Sequence, residues 1–221
     1  MSCSNNVIVD TGCANLFSVK FAIERLGFTA TITDDVEVIK AADKVIFPGV
    51  GSAKHAMANI IEKGLVETLQ NLTQPVLGFC LGMQLMTESS TEGISSTETN
   101  LNNSVDCLGV IPTLVEPLNA QGNRLPHMGW NTLTSVANHP VLKGINIGDY
   151  FYFVHSFAAP LSKYTLASCD YGSQFSAVIG KDNFIGCQFH PERSGALGSK
   201  IIENFLTLSD KELAYKELNI T

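Results

Sequence analysis

The sequence predicts an α/β fold: a mostly parallel central sheet flanked by helices, with antiparallel strands added in its second half. Three observations lead there. Short continuous apolar runs (Val7-Ile8-Val9, Val45-Ile46-Phe47 and Val76-Leu77-Gly78-Phe79) alternate with stretches of helical spacing. Strands that are apolar on both faces belong to a parallel sheet covered on both sides. Beyond residue 104, strand-like runs follow one another across turns with little helix between them, which is the pattern of hairpins.

The first run ends at Asp10, and Gly12-Cys13-Ala14 makes a turn. Leu16, Val19, Ile23 and Leu26 then fall three and four apart, one face of a helix that Gly27 closes. Residues 28–33 alternate and are rich in threonine, a second strand, and 36–42 form a short helix. The third strand, 45–47, is broken by Pro48-Gly49-Val50-Gly51. Ser52 stands where a residue caps the next helix. That helix is expected to reach about Leu72, with Ala53, Met57, Ile60 and Ile61 inward. The run 76–79 stops at Cys80, and a helix is expected from there to about Ser90. Residues 91–104, rich in Ser, Thr, Asn and Glu, read as a surface loop. The runs at 110–118, 125–136, 150–158, 165–169, 175–179 and 184–189 are expected to join the same sheet, and 194–208 to form a last helix. The charged segment after Ser209 is expected to be peripheral. The chain reads as one domain, residues 1–221, with its core at about 6–208.

Composition narrows the function. Of 221 residues, 45% are hydrophobic and 16% charged, the balance of a globular protein. No apolar run reaches the ~18 residues that span a bilayer. Residues 1–6 carry neither a basic region nor an apolar core, so no signal peptide and a cytoplasmic location are expected. The net charge is −7 with no basic run, which argues against nucleic acid or an anionic membrane as main partner. The six cysteines (Cys3, Cys13, Cys80, Cys107, Cys169 and Cys187) lack paired spacing, so free thiols are expected. No zinc spacing, Walker A or Rossmann loop is present, and neither metal nor cofactor is expected.

Gly78-Phe79-Cys80-Leu81-Gly82 is the cysteine form of a strand–nucleophile–helix elbow. The turn has no room for side chains beside the nucleophile. The helix start supports a thiolate at Cys80, and the N–H of Leu81 faces a developing oxyanion. The plainer reading is a buried structural cysteine. A thiolate needs a base and an orienter for that base. Gln188-Phe189-His190-Pro191-Glu192 ends a strand-like run. His190 is placed to serve as the base, and Glu192 reaches its far nitrogen across the stiff Pro191 turn. By itself His-Pro-Glu reads as a surface turn; joined to the elbow it reads as a triad. In Pro48-Gly49-Val50-Gly51 the glycines let a peptide plane turn so that the Val50 N–H points at the acyl oxygen. By itself that segment is an ordinary tight loop.

Those three blocks, in this order and spacing, resemble the class I (triad) glutamine amidotransferases. Within the family the likeness narrows to the glutaminase subunits of imidazole glycerol phosphate synthases. It rests on Asp10-Thr11-Gly12-Cys13-Ala14-Asn15-Leu16, Pro126-His127-Met128-Gly129-Trp130-Asn131, Tyr152-Phe153-Val154-His155-Ser156-Phe157 and His190-Pro191-Glu192-Arg193-Ser194-Gly195, and covers about residues 6–208. The resemblance implies an amidotransferase-like fold and hydrolysis of glutamine through a cysteine thioester. Cys80 would be the nucleophile, His190 the proton shuttle and Glu192 its orienter. Val50 and Leu81 would form the oxyanion hole. Gly49, Gly51, Gln84, Glu92, His155, Ser156 and Phe157 would bind glutamine, Glu92 through the substrate ammonium. The ammonia would pass to a separate cyclase subunit with a (β/α)₈ barrel, which would form a heterodimer with this chain in histidine biosynthesis. Asn15, Met128 and Trp130 would face that partner.

Two positions depart from the family pattern: Ala14 where glycine is frequent, and Phe157 where tyrosine is frequent. Neither touches the triad. Two other readings remain at this point: the amidotransferase of another pathway, such as anthranilate or pyridoxal phosphate synthesis, and a non-catalytic binding subunit of the same fold. The Pro-His-Met-Gly-Trp-Asn block argues against the first and the intact triad against the second. Glutaminase activity is expected to be low in the isolated chain, with the 48–51 loop lacking its productive peptide orientation until partner and ligand bind.

Overall fold

A computed structural model describes residues 4–12, 15–93 and 104–213. Cys3, Cys13, Ala14, most of the 91–104 loop and the end of the charged tail lie outside them. The first half alternates as the apolar runs demand: β1 (Asn6–Val9), α1 (Leu16–Arg25), β2 (Ala30–Thr33), α2 (Val36–Lys40), β3 (Lys44–Gly49), α3 (Ala53–Glu62), α4 (Val66–Gln70), β4 (Val76–Cys80) and α5 (Leu81–Leu85). Then come β5 (Thr87–Ser90), β6 (Val105–Asp106), β7 (Ile111–Pro117), β8 (His127–Val136), β9 (Tyr150–His155), β10 (Phe157–Ala158), β11 (Thr165–Asp170), β12 (Gln174–Lys181) and β13 (Phe184–Cys187). Two helices close the described chain, α6 (Gly195–Thr207) and α7 (Asp210–Leu213).

A nine-stranded sheet runs β2-β1-β3-β4-β13-β12-β11-β8-β9. From β2 to β13 neighbours are parallel; from β13 to β9 they are antiparallel. β13 is the seam, and it sets the chain segment carrying His190 beside the elbow strand. Successive residues of β1 feed opposite faces: Ile8 packs with Phe79, Phe189 and Phe205, while Val7 and Val9 pack with Phe47, Met57 and Met83. Local side-chain caps hold the starts of α1 and α2. The Asp35 carboxylate accepts from the N–H of Glu37 and Val38 (2.9 and 3.1 Å).

Several elements depart from the sequence reading. β3 continues through Pro48 and Gly49. Its pairing with β1 ends at Ile46, so the missing Pro48 N–H costs that side no ladder bond. The single helix expected to Leu72 is two, separated at Gly64, whose φ is +66°. Ile61 is 63% exposed and Ala56 is inward instead, because Ala53, Ala56, Met57 and Ile60 already fill one helical face. Ser52 sits at the start of α3 without a side-chain capping bond. Glu92 supplies one from across the fold, its Oε2 accepting from the Ala53 N–H at 3.3 Å.

The elbow helix ends at Leu85 rather than near Ser90. The Thr87 hydroxyl donates to the Gln84 carbonyl (2.7 Å), and the chain turns into β5. That strand opens a second sheet, β10-β7-β5-β6. The runs at 110–118 and 157–158 therefore leave the main sheet that they were expected to join. The start of the charged tail is docked, not peripheral: Lys44 and Asp210 pair at 3.5 Å, and Leu213 is fully buried. Among the described residues no helix is long and apolar enough to cross a membrane.

Candidate active site

Cys80 is the last residue of β4, directly opposite Gly49 of β3. Its backbone lies in the left-handed region, with φ +52°. Such a conformation is costly for a non-glycine residue and persists where the surroundings enforce it. Here α5 enforces it by starting at the very next residue and pressing onto β3. A Cβ built at Gly82 would collide with the Phe47 carbonyl oxygen, so only glycine fits. Gly51 is needed for a different reason, a left-handed φ of +99°.

His190 comes from the segment after β13. Its N–H donates to the Tyr152 carbonyl (2.9 Å), and its carbonyl accepts from the Ser194 hydroxyl (2.7 Å). The same hydroxyl accepts from the Tyr152 N–H (3.0 Å). Ser194 thus ties the His190 turn to β9. Pro191 opens a 3₁₀ turn, Pro191–Arg193, which swings Glu192 back so that its Oε1 lies 2.9 Å from His190 Nδ1. A carboxylate only accepts, so Nδ1 carries a proton and Nε2 is left for the sulfur. Burial by itself would push the imidazole down. Its interactions with Cys80 and with the Glu192 carboxylate outweigh that and raise it to about 10. This preference for the charged form suits it as the partner that a thiolate nucleophile needs.

A cavity of about 340 Å³ opens over Cys80. It is lined by Val50, Gly51, Leu81, Gln84, Glu92, His155, Ser156 and His190, all expected from the sequence. Pro126, Val154 and Arg193 also line it and were not expected. Gly49 lies beneath the cavity as the strand partner of Cys80. Phe157 acts from behind: its carbonyl accepts from the Gln84 side-chain amide (3.0 Å) and from His155 Nδ1 (2.9 Å). Gln84 is buried, and its amide nitrogen also donates to the Gln188 side-chain oxygen (3.0 Å). Gln188 Nε2 in turn lies 3.9 Å from Cys80 Sγ. Burial raises the Glu92 carboxyl, partly offset by its bond from Ala53. Glu92 is the acidic side chain of the lining and Arg193 the cationic one beside His190, a pairing of charges that suits a small zwitterion.

Met128 and Trp130 are exposed on β8, Trp130 at 55%. Asn15 is exposed too, its side chain capping α1 by accepting from the Ser18 N–H (3.4 Å). Trp130 meets Tyr152 edge-on (5.9 Å), and the Arg193 guanidinium lies 4.7 Å from the Tyr152 ring. This row, exposed at Trp130 and Arg193 and half-buried at Tyr152, leads from β8 to the His190 turn. Sequence reasoning gave no role to Gln188, Ser194 or Arg193, although all three lie inside motifs it quoted. Among the described residues no cluster of His, Cys, Asp or Glu could hold a metal ion.

The sequence profile of the family Glutamine amidotransferase class-I matches residues 7–208. The chain is 72% identical to the imidazole glycerol phosphate synthase subunit HisH of Colwellia psychrerythraea, the alignment covering 100% of both proteins. It is 56% identical to the protein of that name from Shewanella oneidensis, over 91% of this chain and 95% of the other. Among solved structures, one titled glutamine amidotransferase superposes with a TM-score of 0.66 at 18% identity, over 90% of this chain and 96% of the other. A second, a glutamine amidotransferase from Thermotoga maritima, gives 0.60 at 12% identity over 93% of this chain and 84% of the other. At these identities the two structures speak for the fold alone.

Proposed function

The chain belongs to the class-I glutamine amidotransferase family, and we propose that it works as the glutaminase subunit of an imidazole glycerol phosphate synthase in histidine biosynthesis. One observation carries the chemistry: a left-handed cysteine at a strand end shares a cavity with an imidazole held 2.9 Å from a buried carboxylate. The close relatives named as synthase subunits support the pathway.

In this reading the Cys80 thiolate attacks the side-chain carbonyl of glutamine, and the C–S bond forms as the carbonyl electron pair moves onto oxygen. The N–H groups of Leu81 and Val50 hold that oxyanion. Collapse breaks the C–N bond, and His190 gives its Nε2 proton to the leaving ammonia. Water then attacks the thioester, His190 takes the proton, and glutamate leaves as the thiolate is restored. Glu192 keeps the imidazole in register and compensates its charge throughout. Glu92 holds the substrate ammonium. Gly49, Gly51, Gln84, His155, Ser156 and Phe157 shape the pocket, the last mainly through its carbonyl.

The ammonia passes to a cyclase partner with a (β/α)₈ barrel, docked over Asn15, Met128 and Trp130. An exposed tryptophan backed by Tyr152 and Arg193 is the kind of anchor that interface centres use. The test is ammonia release from glutamine by the purified chain, alone and then with the cyclase and its nucleotide ligand. Strong stimulation by the pair is expected. Full activity in the isolated chain would remove the coupling to a partner. A folded chain inactive in both conditions would overturn the glutaminase.

A further inference from the structure

Behind the pocket lies a chain of hydrogen bonds whose direction is fixed at both ends. At one end, His155 Nδ1 lies 2.9 Å from the Phe157 carbonyl. A carbonyl cannot donate, so Nδ1 carries the proton, and in the neutral ring Nε2 must accept. Its partner is Nδ1 of His127, at 3.0 Å and on the directly opposed residue of β8. His127 therefore donates from Nδ1 and accepts at Nε2, where Asn131 Nδ2 stands at 3.3 Å. The Asn131 amide is itself oriented: its oxygen accepts from the Thr132 N–H (2.8 Å), and its nitrogen donates to the Asp170 carbonyl (2.9 Å). Each proton in the row has one place.

The row does not stop at His155. The Phe157 carbonyl that His155 supports is shared with Gln84, whose amide is also held by Gln188, the residue beside the sulfur. His155 and Gln84 both line the cavity. Packing alone does not explain a histidine at 127. Its ring is stacked between Phe153 (4.9 Å) and Tyr171 (4.0 Å), a slot that a phenylalanine would fill equally well.

We propose that His127 is a positioning residue for glutamine hydrolysis: by donating to His155 it holds that ring in the one tautomer that supports the Phe157 carbonyl, and through it the Gln84 amide at the pocket wall. The proposal rests on the glutaminase reading. It adds that both ring nitrogens of His155 are engaged within the protein.

His127→Phe keeps the stacked ring and removes both nitrogens. In the chain assembled with its cyclase partner, it is expected to lower kcat for glutamine roughly tenfold with little change in KM, because the wall shifts by fractions of an ångström. Tyr171→Leu, which loosens the stack and keeps the nitrogens, is expected to leave kcat near wild type. Nitrogen-15 NMR of the wild-type chain reads the tautomer directly. His155 is expected to be protonated at Nδ1 alone, and the His127→Phe chain to show a mixture. Wild-type kcat in folded His127→Phe, an equal loss in Tyr171→Leu, or a wild-type His155 protonated at Nε2 would overturn the proposal. A wild-type complex that releases no ammonia would instead overturn the glutaminase, and the tautomer measurement would still decide how His127 acts on His155.

Discussion

His190 and His155 line the same cavity, His155 with His127 bonded to it, and the two sides favour different charge states. His190 is 8% exposed and His155 and His127 are 6% and 2% exposed, so burial hardly separates them. Yet His190 is raised to about 10, while His155 falls to about 3 and His127 to about 4. Burial pushes all three down. What differs is the company. His190 faces a carboxylate and a thiol, both able to carry negative charge. His155 faces a carbonyl and another imidazole, and both His127 and His190 repel its protonated form. In this molecule partners, not depth, decide which imidazole is a charged catalyst and which is a neutral strut.

The charged side depends most on the Cys80 sulfur. Cys80→Ala removes the nucleophile and the charge that His190 answers. Glutamine hydrolysis by the assembled complex should fall by about 10³-fold or more, and His190 should titrate lower than in the wild type. Activity close to wild type in that variant would remove the thioester from the account. Glu192→Gln is the sharper cut, because it keeps the shape and deletes the charge. A loss of roughly 10²-fold in kcat is expected, with KM nearly unchanged. Equal losses in binding and turnover would mean that Glu192 shapes the pocket rather than the imidazole.

The neutral side makes the smallest prediction. His127 and His155 have folded values below the ordinary 6.5, so the unfolded chain binds their protons first. Stability from this source is complete above about pH 6.5 and drains as pH falls toward 4 and 3. Each histidine contributes a slope of about 1.4 kcal/mol per pH unit within that window. Urea denaturation at several pH values between about 6.5 and 4.5 checks it, with His127→Phe expected to reduce the slope. A curve unchanged by that substitution would mean that His127 does not stay neutral.

How much of this was legible in the sequence follows the range of the interactions. The elbow was legible because Gly78, Cys80 and Gly82 are local and their spacing has one steric meaning. That Gly49 lies directly opposite Cys80 follows only from the register of β3 against β4. Helix ends were less legible. Leu85 and Met86 continue an apolar helical pattern past Gln84, and the Thr87 hydroxyl bond and the pairing of β5 with β7 pull Thr87 out of it. Ser52 looks like a cap, but its place is taken by Glu92, which bonds across 39 positions of sequence. Gln188, Ser194 and His127 stood inside quoted motifs without a role, because each acts through partners that only the folded sheet brings near. The bond from Gln188 to Cys80 crosses 108 positions of sequence.

The most direct test is an NMR titration of the histidine rings in the folded chain. The account predicts His190 as an imidazolium at neutral pH that loses its proton only near pH 10. In the same spectra His127 and His155 should be neutral, each with a single tautomer, down to about pH 4. A neutral His190 at about pH 7, or a His127–His155 pair that titrates near the ordinary histidine value of about 6.5, would contradict it.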